Sequence, residues 1–340
     1  MSAAVHILGA GPGLSLQDTG RQGFLAKGLS RGGAVDGLAL AEGAVLVGAR
    51  DPLAIEMAGA GGRFRAEGAD LLIALTGAPM SAEIDGTRVA WSASHLLPQG
   101  AELKIGGVTR GSYGYLSVAG LTAPKVLGAR SAHLAAGIGH RLQAGDRLTA
   151  QPAPHKGGMM LPQDDRFSGG TVRLLPSVQT DQFDKETLRR LEETAFLKDA
   201  RASRMGARMA HDGPGFSSSE HLAILSEIIV PGDVQVVGDG APYVLLNECQ
   251  TTGGYPRIGT VISADLAKVA QAAPGMPIRF RFVTLDQALA ARDAALRQIE
   301  SLPDKVTARL RHPGDIPDLL SYQLVSGAVS AHHDHDQEES

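Results

Sequence analysis

Two short polar stretches stand out in a chain that is otherwise apolar and glycine-rich. Gln250-Thr251-Thr252-Gly253-Gly254-Tyr255-Pro256-Arg257 crowds an amide, two hydroxyls, a phenol and a guanidinium around a Gly-Gly pair, a place where backbone can approach a ligand closely. Near the other end, Gln17, Asp18 and Arg21 supply an amide, an acid and a forked donor within a few residues. Both stretches have the composition of a binding site. A hydrogen-bonded strand exit followed by a Gly-Gly-Tyr-Pro turn, and a surface loop, account for the same residues. Cys249, beside Gln250, is the chain's one cysteine. No Cys-His signature surrounds it, which favours a small buried strand residue over a nucleophile.

The elements that must carry these residues are short. The apolar run Tyr243-Val244-Leu245-Leu246 predicts a buried strand leading into Gln250. The Gly238-Asp239-Gly240 turn joins it to an alternating strand around Val234 and Val236. Gly28 to Gly33 forms a glycine-rich loop, and Asp36 follows as the N-cap of a helix from Leu38 to Val47 that Gly48 ends. The loop lacks the lysine of a phosphate-binding loop and any Gly-x-Gly-x-x-Gly, so nucleotide binding there is discounted. From Leu53 to Leu148 short strands alternate with turns, Asp85-Gly86 being a hairpin signal. Glu56 lies inside one of these apolar strands; it either needs buried partners or faces water from a sheet edge. Residues 150–170 shift to Pro, Gly and charge and read as a linker. Helices are predicted behind Asp184 and, from 284 to 299, behind Thr284.

At 340 residues the chain favours two domains. Its 43 glycines and 18 prolines, without period, favour β-rich domains over helical bundles. The expected class is mainly β with some α, with one domain over 1–160, a second over 171–285, and a helix and disordered tail over 286–340. A net charge of -4 and no basic stripe argue against a nucleic-acid partner. No signal-like segment or long apolar run is present, so the reading is a cytoplasmic protein without membrane contact. His332, His333, Asp334, His335 and Asp336 near the end read as a disordered polar terminus rather than a metal site.

Ordered blocks then point further. Gln17-Asp18-Thr19-Gly20-Arg21-Gln22-Gly23, Gly32-Gly33-Ala34-Val35-Asp36, Tyr115-Leu116-Ser117-Val118-Ala119-Gly120, Val126-Leu127-Gly128-Ala129-Arg130-Ser131, Ser203-Arg204-Met205-Gly206 and Gln250-Thr251-Thr252-Gly253-Gly254-Tyr255-Pro256 follow one another along the chain. In this order they resemble the biotin-dependent carboxyltransferase family of allophanate hydrolase subunit 2, KipA and the 5-oxoprolinase C-subunit, related to urea amidolyase. The resemblance covers nearly all of residues 1–290. It departs at Ser203, where the family usually has Asp, and at Glu248-Cys249, where Asp-Arg is common, which bears on the acceptor more than on the fold.

That resemblance implies two cyclophilin-like β-barrel domains and a partner of the KipI or allophanate hydrolase subunit 1 type. It implies transfer of CO2 from carboxybiotin to a urea-like or lactam acceptor. No Met-Lys biotin-attachment segment and no ATP-binding lysine loop occur in the sequence, so biotin carrier and biotin carboxylase are expected as other polypeptides. In that chemistry Arg21, Arg204 and Arg257 are candidate holders of a carboxylate or oxyanion. Asp18, Asp36 and Glu56 are candidate bases or orienters. Gln17, Gln250, Thr251, Thr252 and Tyr255 offer neutral hydrogen bonds to an amide-like ring. Surface ion pairing for an arginine and simple helix capping for Asp36 remain open alternatives. So do a component of 5-oxoprolinase and a non-catalytic regulator that binds a kinase inhibitor. The catalytic reading requires the early and late polar stretches to meet in one pocket.

Overall fold

A computed structural model describes residues 3–217 and 225–309; the histidine-rich terminus lies outside them. The chain is built mainly from strands. In the first half, one sheet runs in the order Arg147–Thr149, Ala4–Ala10, Gly62–Glu67, Glu102–Val108, Met80–Ile84, Thr87–Arg88. The other runs Ser15–Gln17, Ala54–Ala58, Tyr113–Val118, Leu71–Gly77, Ala93–Leu97, Gly157–Met160, Thr307–Ala308. A shared apolar core fills the space between them, with Ile7, Ile55, Phe64, Leu71 and Leu103 each 0% exposed.

The second half closes on itself. Strands Gly170–Leu175 and Pro277–Phe282 pair in parallel and complete a barrel with Arg257–Val261, Asp233–Val236, Pro242–Leu245, Gly206–Ala210 and Phe196–Lys198. Closure removes free strand edges, and Phe196, Phe216 and Phe280 pack against one another in its core.

Local chemistry sets the helices where the sequence predicts them. The Asp36 side chain accepts from the Ala39 amide at the start of helix Gly37–Val47, and Gly48 ends it at φ 69°. Thr284 and Gln287 form a reciprocal capping box on helix Leu285–Glu300. Asp184 caps helix Lys185–Glu193. Asp85 and Gly86 turn at φ 46° and 79° between strands Met80–Ile84 and Thr87–Arg88, the paired positive values a tight hairpin needs.

One expectation changes, and one alternative left open is decided. Residues 157–160, read as linker, form a strand beside Ala93–Leu97, and Arg166 farther along is buried. Glu56 is no edge residue: its strand lies between Ser15–Gln17 and Tyr113–Val118, and Glu56 is 1% exposed. Among the described residues no helix is long and apolar enough to cross a membrane.

Where the halves meet, Val35, Leu40, Tyr113 and Tyr115 of the first pack with Leu246 and Ala270 of the second. This apolar seam sets the registry of the polar groups around it.

Candidate functional site

The cavity at the late polar stretch begins with strand pairing. Gln235 and Tyr243 are opposite one another on antiparallel strands at one end of the barrel, so their side chains share a face. The Tyr243 ring crosses Gly206, where an added Cβ would lie 2.2 Å from ring carbon Cε1. Past Leu245 the chain turns, and Thr252–Gly253 pairs with Glu227–Ile228 as a two-stranded flap. Under it lies a cavity of about 290 Å³, its apolar walls including Met205, Ile229 and Leu245 and its polar groups Gln235, Tyr243, Gln250 and Tyr255. None of its lining side chains carries a charge.

Gln235 is 5% exposed, and its amide nitrogen Nε2 has no hydrogen-bond partner. A buried unpaired donor costs roughly 1–3 kcal/mol, so this group is held ready for an acceptor. Gly253 keeps the space open: a Cβ there would come within 2.7 Å of that same nitrogen. Burial raises the pKa of Tyr243 and keeps it a neutral phenol. Burial also pushes the Cys249 thiol up to about 12, so it is no thiolate near neutral pH.

Of the sequence candidates, Gln250 and Tyr255 line this cavity. Thr252 is an exposed flap residue. The Thr251 carbonyl accepts from the Ile229 amide at 3.0 Å, while its hydroxyl faces Gly28 of the first half. Arg257 is spent on structure. It donates to Glu227 at 2.5 Å, to the Ile228 carbonyl at 3.1 Å and to Gln179 at 3.3 Å, tying the flap to the barrel.

The early stretch lies in a different place. Asp18 accepts from the amides of Gly20 at 2.8 Å and Arg130 at 2.6 Å, locking its loop. Gln17 is fully buried, donates to Ser15 at 2.9 Å and leaves Oε1 without a partner. Arg21, 2% exposed, donates from Nη2 to the Ser131 carbonyl at 2.5 Å and leaves Nε and Nη1 unspent. Burial lowers its pKa, against the opposing pull of Asp18 and Glu248. His133 nearby accepts the Ala136 amide on Nδ1, so Nε2 carries the proton and donates to Ser30 at 2.8 Å.

The two stretches therefore share a wall and not a pocket. Asn247 and Glu248, just ahead of Gln250, make the contact. The Gly32 amide donates to the Asn247 carbonyl at 2.9 Å, Asn247 Nδ2 donates to the Ala34 carbonyl at 2.8 Å, and Glu248 accepts from the Ala135 amide at 3.1 Å. The cavity itself is lined only by second-half residues, so the expected single pocket is replaced by two neighbouring polar centres.

Beneath them runs a buried charge network that joins the halves. Arg204 pairs with Glu56 through Nη1, with Glu248 through Nε at 2.6 Å, and with the Gly33 carbonyl at 2.7 Å. Glu56 also accepts from the Tyr115 hydroxyl at 2.7 Å and the Val35 amide at 3.0 Å. Asp36, beyond its cap, accepts from Arg166 and from Gln271, each at 2.8 Å. Arg166 also holds Glu42 at 2.7 Å. Burial of Glu42 outweighs that pairing and pushes its pKa up to about 7.

Sequence reasoning missed Gln235, Asn247, Glu248, Arg166, Glu42 and Gln271 in these roles. For Glu42 there was a signal, the same one that marked Glu56: a carboxylate inside an otherwise apolar run, Leu38-Ala39-Leu40-Ala41-Glu42-Gly43-Ala44. Gln235 between Val234 and Val236 carries a weaker form of it. Arg166, in a polar segment, had none.

Comparison with known proteins bears on this geometry. A family model described as carboxyltransferase domain, subdomain A and B, matches residues 27–282. The 5-oxoprolinase C-subunit of Escherichia coli K12 is 34% identical over 307 residues, spanning 88% of this chain and 97% of that protein. Its Haemophilus influenzae counterpart of the same name is 33% identical over 88% of this chain and 99% of its own length. A putative urea carboxylase of Emericella nidulans is 25% identical, with 88% of this chain matching 26% of that protein. Among solved structures, TTHA0988 superposes with a TM-score of 0.74 at 32% identity, over 82% of this chain and 56% of that one. The chain thus spans about half of TTHA0988. The Kluyveromyces lactis urea amidolyase gives a TM-score of 0.78 over 91% of this chain and 21% of that one, at 21% identity, a likeness of fold.

Proposed function

Because the chain belongs to the family of carboxyltransferase domains, subdomains A and B, we propose that it is the carboxyltransferase component of a biotin-dependent enzyme acting on a cyclic amide of the 5-oxoproline class. In this reading it works with a subunit of the KipI or allophanate hydrolase subunit 1 type, and separate polypeptides supply the biotin carrier and biotin carboxylase. The two relatives named for 5-oxoprolinase favour a lactam over urea as acceptor, since they match over nearly their whole length.

The observation that carries the proposal is the uncharged cavity with the unpartnered Gln235 amide. Its donor set fits the ureido ring of biotin, a small neutral ring with one strong carbonyl acceptor. Carboxybiotin, when presented, supplies the CO2 unit. Gln235 donates to a ring carbonyl and stabilises charge that develops on its oxygen. Gln250 and the phenols of Tyr243 and Tyr255 orient the ring, and the apolar walls exclude water that would hydrolyse an activated carboxyl group. Arg21, buried in the first half and outside this cavity, keeps two donors unspent and is a positioning residue in this reading. Asp18, Asp36, Glu56 and Arg204, whose polar atoms are committed to other protein groups, position the loops around it.

The test uses the complex purified with its partner subunits. Transfer of labelled CO2 to 5-oxoproline and to urea is measured, with Gln235→Leu beside the unaltered chain. The expected result is transfer to 5-oxoproline, reduced by about a hundredfold or more in Gln235→Leu, the worth of one hydrogen bond at a reacting oxygen, with thermal stability equal or higher because the unpaired donor is gone. Transfer to neither acceptor, or an unaffected Gln235→Leu complex, overturns the reading.

A further inference from the structure

Away from this site, the strand Phe196–Lys198 alternates so that Phe196 enters the barrel core and Leu197 faces solvent. Lys198, only 4% exposed, reaches across the seam between the halves. Its Nζ donates to the Ser112 hydroxyl oxygen at 2.9 Å and to the Ala270 carbonyl at 2.6 Å. Among the described residues no carboxylate lies within ion-pair distance of it, whereas Lys125 and Lys268 sit beside Asp51 and Asp265. Two acceptors satisfy both N–H groups of a neutral amine and leave its lone pair as the one unspent valence. Lys198 also lines a cavity of about 260 Å³ that the two halves form together, walled by small groups such as Ala58, Gly59, Ala202 and Pro274. A nucleophile with a free lone pair therefore borders a half-open space of small-molecule size.

The surroundings select the electrophile. Adding CO2 to Nζ would fix an anionic carbamate in the seam, where the other charged lining residue among the described ones is Asp199 and the Ser112 hydroxyl already donates to the Ala272 carbonyl at 3.1 Å, whereas an anionic leaving group departs through the open side of the cavity. Acyl transfer yields a neutral amide, which a desolvated seam tolerates. We propose that Lys198 is an acylation site that takes a short acyl group from a small acyl phosphate or thioester entering this cavity. The Nζ lone pair attacks the acyl carbon and forms the C–N bond. The C–O bond to phosphate, or the C–S bond, breaks with its electron pair, and the proton lost from nitrogen leaves with the departing phosphate or thiol. The amide keeps one N–H, so one of the two bonds across the seam is given up. Independently of this geometry, burial pushes the Lys198 ammonium down to about 7. Roughly half is then free base at neutral pH, against about one part in 2,500 for a lysine with the ordinary pKa near 10.4.

The experiment incubates the full chain with isotopically labelled acetyl phosphate in one arm and labelled acetyl-coenzyme A in the other. Peptide mass spectrometry then gives the initial rate at each lysine, with the exposed Lys104, Lys185 and Lys305 as internal references. At pH 7.0 Lys198 is expected to outpace each reference by about tenfold or more, well within the thousandfold advantage in free base. The ratio should fall steeply by pH 10 and vanish in urea. Label from one arm identifies the donor class. An excess below tenfold in both arms, or an excess that persists in the unfolded chain, overturns the assignment.

Discussion

Replacing Arg204 by methionine removes the guanidinium from between two carboxylates that have no route to water. Arg204 is 9% exposed, Glu56 1% and Glu248 3%, and three of the arginine nitrogens are committed to protein acceptors. Removing one partner of a buried pair strands the other, at a cost of roughly 3–5 kcal/mol. At about 2–4 °C per kcal/mol, this lowers the melting temperature by roughly 6–20 °C. Urea titrations are read by circular dichroism for the whole chain and by fluorescence of Trp91, the sole tryptophan, for the first half. Adding Glu56→Gln and Glu248→Gln to Arg204→Met removes the stranded charges and should recover most of the loss. A single variant within about 1 kcal/mol of the unaltered chain refutes the idea that this network joins the halves. So does a triple variant no more stable than the single one.

Two further outcomes follow from the same seam. Lys198 has a folded pKa near 7, below its unfolded value. The unfolded state therefore binds more protons between about pH 7 and 10.5, and stability should rise with pH across that window. Lys198→Met should flatten that rise, and unfolding curves that respond to pH alike in both chains would count against a buried amine there. Asn247→Ala removes an amide that donates to the Ala34 carbonyl at 2.8 Å and lies within 3.3 Å of the Gly32 and Gly33 carbonyls. A loss of about 1–3 kcal/mol is expected, together with faster amide exchange at Gly32 to Val35. Exchange confined to the Gln250 flap would show that Asn247 serves the cavity and not the loop.

What the sequence by itself determined is what neighbours along the chain decide. Asp36 three residues before Ala39, Gly48 at a helix end, Thr284 with Gln287, and Asp85-Gly86 all act through bonds spanning a few residues. Their outcomes were legible without a fold. The ordered family blocks were legible too, because blocks retained in one order constrain the fold more tightly than any single motif. The charge on Glu56 was visible from its apolar strand, but its partners were not: Arg204 lies 148 positions away. The early and late polar stretches looked alike in composition. Only the folded chain showed that Asn247 and Glu248 make the contact between them, and that Gln235, an ordinary strand residue in the sequence, faces the cavity unpaired. The physical reason is that a side chain's role depends on which polar groups are left after its neighbours are satisfied. That remainder is set by packing between strands and halves distant in the chain.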